Sequence, residues 1–270
     1  MNNTCIYNTC IYNQENVIIV QKNFKSRMYI KIYNGVGASK EGLLHIFKTL
    51  FDYAPKDYLI SYITPKEIIE GKWIYNTKLL VIGGGADLHY KKYLDGIGNQ
   101  QIQQFLKKGG SLLGICAGAY YCGSRVEFSK AAKGEILGPR ELSIYKDAVV
   151  GPALRKYYYN SDKGAFAAKI NLVRASPCKQ VKIFYNGGGY FAKAANTPNT
   201  RIIANYHDNR AAIVMCEYGL GKAILSGVHF EYDPYIMKYS PLREEIIDSL
   251  KEYNESRIVL TKYLLDKLLA

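Results

Sequence analysis

The chain has 270 residues, 48% of them hydrophobic and 22% charged, and carries a formal net charge of +13. That balance excludes wholesale disorder, and the length suits one hydrophobic core with trimmings. No apolar run is long enough to cross a bilayer and the N-terminus lacks the features of a secretory signal, so a soluble, cytoplasmic protein is expected.

The 36 Lys and Arg recur along the whole chain, which reads as a solvated basic surface; nucleic-acid binding is not expected. Cys5, Cys10, Cys116, Cys122, Cys178 and Cys216 show neither a disulfide framework nor metal-type spacing. Each cysteine is therefore judged by its neighbours, and no metal or organic cofactor is expected.

Residues 1–26 open with NTCIY at 3–7, repeated at 8–12, and read as an N-terminal appendage, a candidate for mobility. Residues 27–270 read as a single domain. MYIKIY (28–33) predicts a strand and NGVGASK a Gly-rich turn. Ser39 then caps a helix whose apolar face is Leu43, Leu44, Phe47, Leu50 and Phe51. DYLISYI (57–63) is strand-like, and Pro65 fits the first turn of a short helix. KLLVIGGG (78–85) is an apolar run ending in three glycines. GNQQIQQFLKKGG (98–110) predicts a helix stopped by Gly109 and Gly110, and SLLGI (111–115) a buried strand leading into Cys116.

This alternation predicts a three-layer α/β fold, with a mostly parallel central sheet and helices on both faces. VKIFYNGGGYF, RIIANY, AIVMCEYG and KAILSGVHF then read as strands with short connections, an additional antiparallel region turning at EYGLGK (217–222). Residues 242–269 close the chain as one or two amphipathic helices.

Gly114-Ile115-Cys116-Ala117-Gly118 lies where an apolar strand meets a helix. A nucleophile on such an elbow needs small neighbours, and the helix start beside it favours thiolate. The N–H of Ala117 would face a developing oxyanion. Free cysteine also packs as a small hydrophobe, so the pentapeptide alone does not decide. Val228-His229-Phe230-Glu231 ends a predicted strand, where residues two apart share a face. Glu231 could orient the ring that His229 offers to sulfur, or His229 could make only a surface hydrogen bond. Gly83-Gly84-Gly85 can bring bare backbone N–H groups to a reacting carbonyl, and no phosphate-binding spacing accompanies it. An ordinary turn is the other reading.

These three motifs in this order resemble the class I glutamine amidotransferases, which pair a glycine-rich oxyanion loop with a G-x-C-x-G elbow and a late H-x-E. The resemblance implies a flavodoxin-like fold, a Cys116–His229–Glu231 triad and an oxyanion hole from Gly84, Gly85 and Ala117. YNGVGASK (33–40), GGADLHY (84–90), LGICAGAYYC (113–122), GPRELSIY (138–145), YNGGGYF (185–191) and SGVHFEY (226–232) are similar to one branch in particular. That branch is the N-terminal domain of eukaryotic-type biotin–protein ligases, which also occurs free-standing in bacteria.

Two departures bear on function. Tyr120 stands where glutamine-hydrolysing members carry a glutamine that seats the substrate, and no GRGRxG-type biotinyl-adenylate loop is present, so biotin ligation is not expected. The expected activity is a cysteine hydrolase acting on a small-molecule or peptide carboxamide, with a synthase or ligase partner able to use the ammonia. A catalytically silent ligand-binding or regulatory module on the same fold, or a cysteine peptidase, are the alternatives. Tyr120, Arg140, Glu141, Asn186 and Tyr190 are candidate pocket residues, and Tyr157, Tyr158 and Tyr159 either line a pocket or cover the core.

Overall fold

The computed structural model describes residues 27–129, 134–158, 161–173 and 179–270; the appendage expected at 1–26 and Tyr159 lie outside the described residues. The first half alternates as β1 (Tyr29–Tyr33), α1 (Lys40–Tyr53), β2 (Leu59–Ile63), α2 (Pro65–Glu70), β3 (Thr77–Ile82), α3 (Asp87–Leu94), α4 (Ile97–Lys107), β4 (Ser111–Ile115) and α5 (Ala117–Tyr121). Strands then follow one another: β5 (Gly123–Phe128), β6 (Ile136–Pro139), β7 (Tyr145–Gly151), β8 (Phe166–Leu172), β9 (Gln180–Tyr185), β10 (Tyr190–Phe191), β11 (Thr200–Tyr206), β12 (Ala211–Tyr218) and β13 (Gly221–Ser226). Two helices close the chain, α6 (Glu244–Glu252) and α7 (Asn254–Leu269).

Local chemistry explains the helix boundaries. The Ser39 hydroxyl accepts the Gly42 N–H at 3.1 Å, and Thr64 forms a reciprocal capping box with Glu67 behind Pro65. Gly109 takes φ 97° just past α4, a conformation that side-chain-bearing residues resist.

One half of the sheet is parallel, in the order β2-β1-β3-β4-β13. β12 adds antiparallel to β13 across the turn at Gly219 and Leu220, as the sequence predicts. From β12 the sheet forks, one arm running through β10, β7, β5 and β6 and the other through β11, β8 and β9. The α/β class and the parallel, helix-flanked core are as expected. The later region is larger than foreseen and mixed, since β5 pairs parallel to β7; β5 to β8 went unforeseen because they are short strands whose polar and apolar residues do not alternate cleanly.

Burial on both faces makes the parallel strands nearly continuous apolar runs. Leu79 and Val81 of β3 join the cluster that includes Ile46 and Leu50 of α1 and Leu260, Leu264 and Leu268 of α7, whereas Leu80 and Ile82 join Ile102 and Phe105 of α4 in the cluster opposite. The buried stripe of α1 differs from the expected one. It runs through Gly42, His45, Ile46, Thr49 and Leu50, while Leu44 and Phe51 stay 46% and 43% exposed. The helix turns this way because His45 and Thr49 have hydrogen-bond partners at residues 231 and 233, which a search for apolar periodicity does not register. Among the described residues no helix is long and apolar enough to cross a membrane.

Candidate active site

Cys116 sits between β4 and α5 at φ 52° and ψ −106°, a backbone conformation costly for any residue with a side chain. Hydrogen bonds hold it on both sides: Cys116 N–H donates to Ser226 O at 2.8 Å, and Gly118 N–H to Gly83 O at 3.1 Å. The flanking glycines are sterically required. A Cβ on Gly118 would lie 2.0 Å from Ile82 O, and one on Gly114 would lie 2.8 Å from Leu225 Cδ2. The motif therefore forces the sharp turn that the sequence reading assigned to it.

His229 reaches the same place by a different route from the one expected. β13 stops at Ser226 rather than running on to residue 230, and His229 follows in an isolated β-bridge to Phe184, its N–H donating to Phe184 O at 2.8 Å. The strand stops because another loop crosses it. A Cβ on Gly227 would meet Gly189 O at 1.9 Å, and one on Gly188 would meet Gly227 O at 1.7 Å. YNGGGYF is thus a tight loop crossing that also lends Asn186 and Gly187 to the pocket. Residues 229 and 231 still meet, with His229 Nδ1 and Glu231 Oε1 2.8 Å apart and both side chains buried.

The backbone around this pair is anchored from two helices. Thr49 Oγ1 donates to Glu231 O at 2.9 Å, and the buried Arg257 of α7 donates to Phe230 O at 3.0 Å. Burial by itself drives the His229 ring toward neutrality. The Glu231 carboxylate and the Cys116 sulfur outweigh it, and the imidazole pKa is pushed up to about 10. Gly84 lies against both side chains: a Cβ there would be 2.9 Å from His229 Cε1 and 3.7 Å from Cys116 Cβ. The thiol donates to Asn186 O at 3.9 Å.

A pocket of about 640 Å³ opens over Cys116, lined by Gly84, Gly85, Ala117 and Asn186 among others. Tyr120, Phe128 and Tyr157 make one wall, in edge-to-face contacts with centroids 5.6 and 5.8 Å apart. Tyr120 is fixed there. Its hydroxyl donates to Gly187 O at 3.1 Å and its ring fills the space above Gly151 and Gly189. Across the pocket, Arg243 is held by Glu41 and Asp162, with Nε 2.9 Å from Asp162 Oδ2.

Arg140, Glu141 and Tyr190, expected in the pocket, do not line it. A buried guanidinium requires a counter-ion, and Arg140 turns its Nε and Nη2 to Asp87 Oδ2 at 2.8 and 2.6 Å. Glu141 is exposed and accepts the Gly96 N–H at 2.6 Å, and Tyr190 lies under the Arg210 guanidinium, 4.5 Å from its ring centre. Asp87 is one of the pocket residues the sequence reading missed, with Phe128 and Arg243, although it follows the GGG motif by two positions at the start of α3. Burial raises its pKa against the pull of Arg140. Among the described residues no three His, Cys, Asp or Glu side chains gather into a metal-holding group.

The arrangement supplies a thiol on a strained turn, an imidazole beside it, a carboxylate on the far ring nitrogen, and bare backbone facing the gap. These are the parts of covalent acyl transfer.

The sequence profile described as "Biotin-protein ligase, N terminal" matches residues 28–269. The chain is 31% identical over 245 residues to the biotin–protein ligase of Schizosaccharomyces pombe, covering 88% of this chain but only 37% of the ligase. It is 33% identical over 229 residues to an uncharacterized protein of Chlamydia muridarum, covering 83% and 86% of the two chains. Among solved structures, one described as a GMP synthase protein from Thermoplasma acidophilum overlaps 86% of this chain and 98% of its own, at 13% identity and a TM-score of 0.46.

Proposed function

The chain belongs to the biotin–protein ligase N-terminal family, and on that premise we propose that it is a cysteine hydrolase of carboxamides. The observation that carries this reading is the buried His229–Glu231 pair, 2.8 Å apart, beside a cysteine on a strained elbow. Structural cysteines need neither the strain nor a carboxylate-backed imidazole.

His229 takes the proton of the Cys116 thiol as the sulfur attacks the amide carbonyl carbon, and the carbonyl electron pair moves to oxygen. Backbone N–H groups of Gly84 or Gly85 and of Ala117 receive that oxyanion, a contribution of about 3 kcal/mol per donor in comparable sites. The tetrahedral species collapses with cleavage of the C–N bond, and His229 gives its proton to the departing nitrogen. Glu231 keeps the ring in the orientation that leaves Nε2 toward sulfur and stabilises the imidazolium. Water, deprotonated by His229, then attacks the thioester carbon; the acid leaves and the thiol is restored. Ammonia formed from a primary amide leaves to solvent or to a synthase or ligase partner.

Tyr120 favours a second reading, a silent ligand-binding module, because its ring fills one pocket wall and its hydroxyl is committed to Gly187. Labelling separates the two. Purified protein is treated with an electrophilic glutamine analogue and, separately, with a small thiol alkylator, beside His229→Ala, and the labelled site and rate are read by mass spectrometry. Fast alkylation of Cys116 that falls at least about tenfold in the variant is expected for an activated nucleophile. Labelling by the glutamine analogue as well would put glutamine in the substrate class, and labelling by the alkylator alone would exclude it. If Cys116 reacts like an ordinary thiol in both proteins, the module reading prevails.

A further inference from the structure

α1 buries His45 completely, in the helix stripe that grips residues 231–233. Three consecutive residues surround its ring. Asp233 N–H donates to Nδ1 at 3.1 Å, Tyr232 stacks on the ring at 4.1 Å and 17°, and Glu231 exerts the strongest pull of the charged groups facing it, ahead of Glu41 and Asp233. His229, the remaining group, opposes them. Thr49, one turn further along α1, anchors the Glu231 carbonyl. The helix therefore holds the backbone that follows the carboxylate, while Arg257 of α7 holds the Phe230 carbonyl before it.

The ring's tautomer follows from these contacts. Nδ1 is an acceptor, so the single proton of the neutral ring resides on Nε2. Burial keeps the ring neutral down to about pH 4 despite the nearby carboxylates. Its Nε2–H is buried and has no partner among the described residues. Glu231 Oε2 is in the same condition: Oε1 is spent on His229, and Oε2 is buried and unpartnered. One orphan is a donor and the other an acceptor, and each loses solvation that pairing restores.

From this complementarity we infer that His45 is a positioning residue for the triad, donating its Nε2 hydrogen to Glu231 Oε2 by a small side-chain adjustment or through one water. The inference rests on the triad reading above. A neutral donor on Oε2 fixes the carboxylate with Oε1 aimed at His229 and leaves the charge that stabilises the imidazolium in place.

Two isosteres divide the functions of the ring. His45→Gln keeps an amide N–H at the Nε2 position but gives up the acceptor for Asp233, and His45→Asn keeps that acceptor but lacks the distal donor. The readout is the pH dependence of Cys116 alkylation in the full chain, which needs no substrate. His45→Asn is expected to slow alkylation near neutral pH by about tenfold and to move its profile by about one unit toward that of a free thiol. His45→Gln is expected to stay within about twofold of the unaltered protein. Equal losses in both variants would reveal a tether to Asp233 and nothing more, and wild-type profiles in both would also overturn the inference. If Cys116 of the unaltered protein is no more reactive than a free thiol, the triad reading itself fails and His45 loses its role with it. Should the variants not fold, long-range ¹H–¹⁵N spectra of the unaltered protein decide. A slowly exchanging Nε2 proton on His45 is expected, shifted by Glu231→Gln, and a proton on Nδ1 would sink the inference.

Discussion

Glu231 stands between two buried histidines whose proton affinities move in opposite directions, His229 up to about 10 and His45 down to about 4 from the ordinary 6.5. In the folded chain His229 binds its proton more tightly than when unfolded. Its contribution to stability is therefore complete below pH 6.5 and is lost as pH rises toward 10. His45 resists protonation when folded, so its contribution is complete above pH 6.5 and is lost as pH falls toward 4. Thermal melts are expected to peak near neutral pH. His229→Gln should flatten the alkaline limb and His45→Gln the acid limb; limbs that stay parallel to the unaltered protein would refute the assignments. At this scale the sequence is informative where residue type and spacing coincide, as in GICAG and HFE. It is silent on Asp87, His45, Thr49 and Arg257, because their meaning lies in partners such as Glu231, 182 residues beyond Thr49.

At the scale of elements, the elbow and the crossing loops convert glycine positions into geometry. Gly118→Ala would drive a Cβ to 2.0 Å from a backbone oxygen that has no room to yield, and is expected to cost about 2–4 kcal/mol in denaturant titrations. Gly84→Ala meets only the His229 ring edge, at 2.9 Å. It should melt near the unaltered protein yet lose about tenfold in Cys116 alkylation through displacement of the imidazole. Similar damage to both properties in both variants would remove the distinction drawn here. β1 to β4 were legible because each strand is a short apolar run bounded by turn residues, and α1, α2, α4 and α5 with them, whereas α3 was not foreseen. The end of β13 was not, because the feature that stops it is a second loop's backbone.

Over the whole molecule, stability depends on the last helix as much as on the site. Leu260, Leu264, Leu265 and Leu268 of α7 are almost completely buried. At about 1.5–3 kcal/mol each, they rival the entire stability of a typical domain, about 5–15 kcal/mol. A chain ending at Tyr253 is accordingly expected to show no cooperative thermal transition, and its Cys116 should react like an unfolded thiol. A cooperative melt in the truncated chain would show that the sheet holds without α7. The parallel half of the sheet supplies the elbow, while Asn186 and the wall at Tyr157 come from the mixed half.

The meeting of Gly188 and Gly227 joins these halves at the most sensitive point, since neither loop has space for a single added carbon. The stretch that offers Asn186 to the thiol and the stretch that carries His229 are therefore one mechanical part. A displacement of Asn186 is expected to be transmitted to the imidazole. Neither stretch can be exchanged for a relative's version unless the other goes with it.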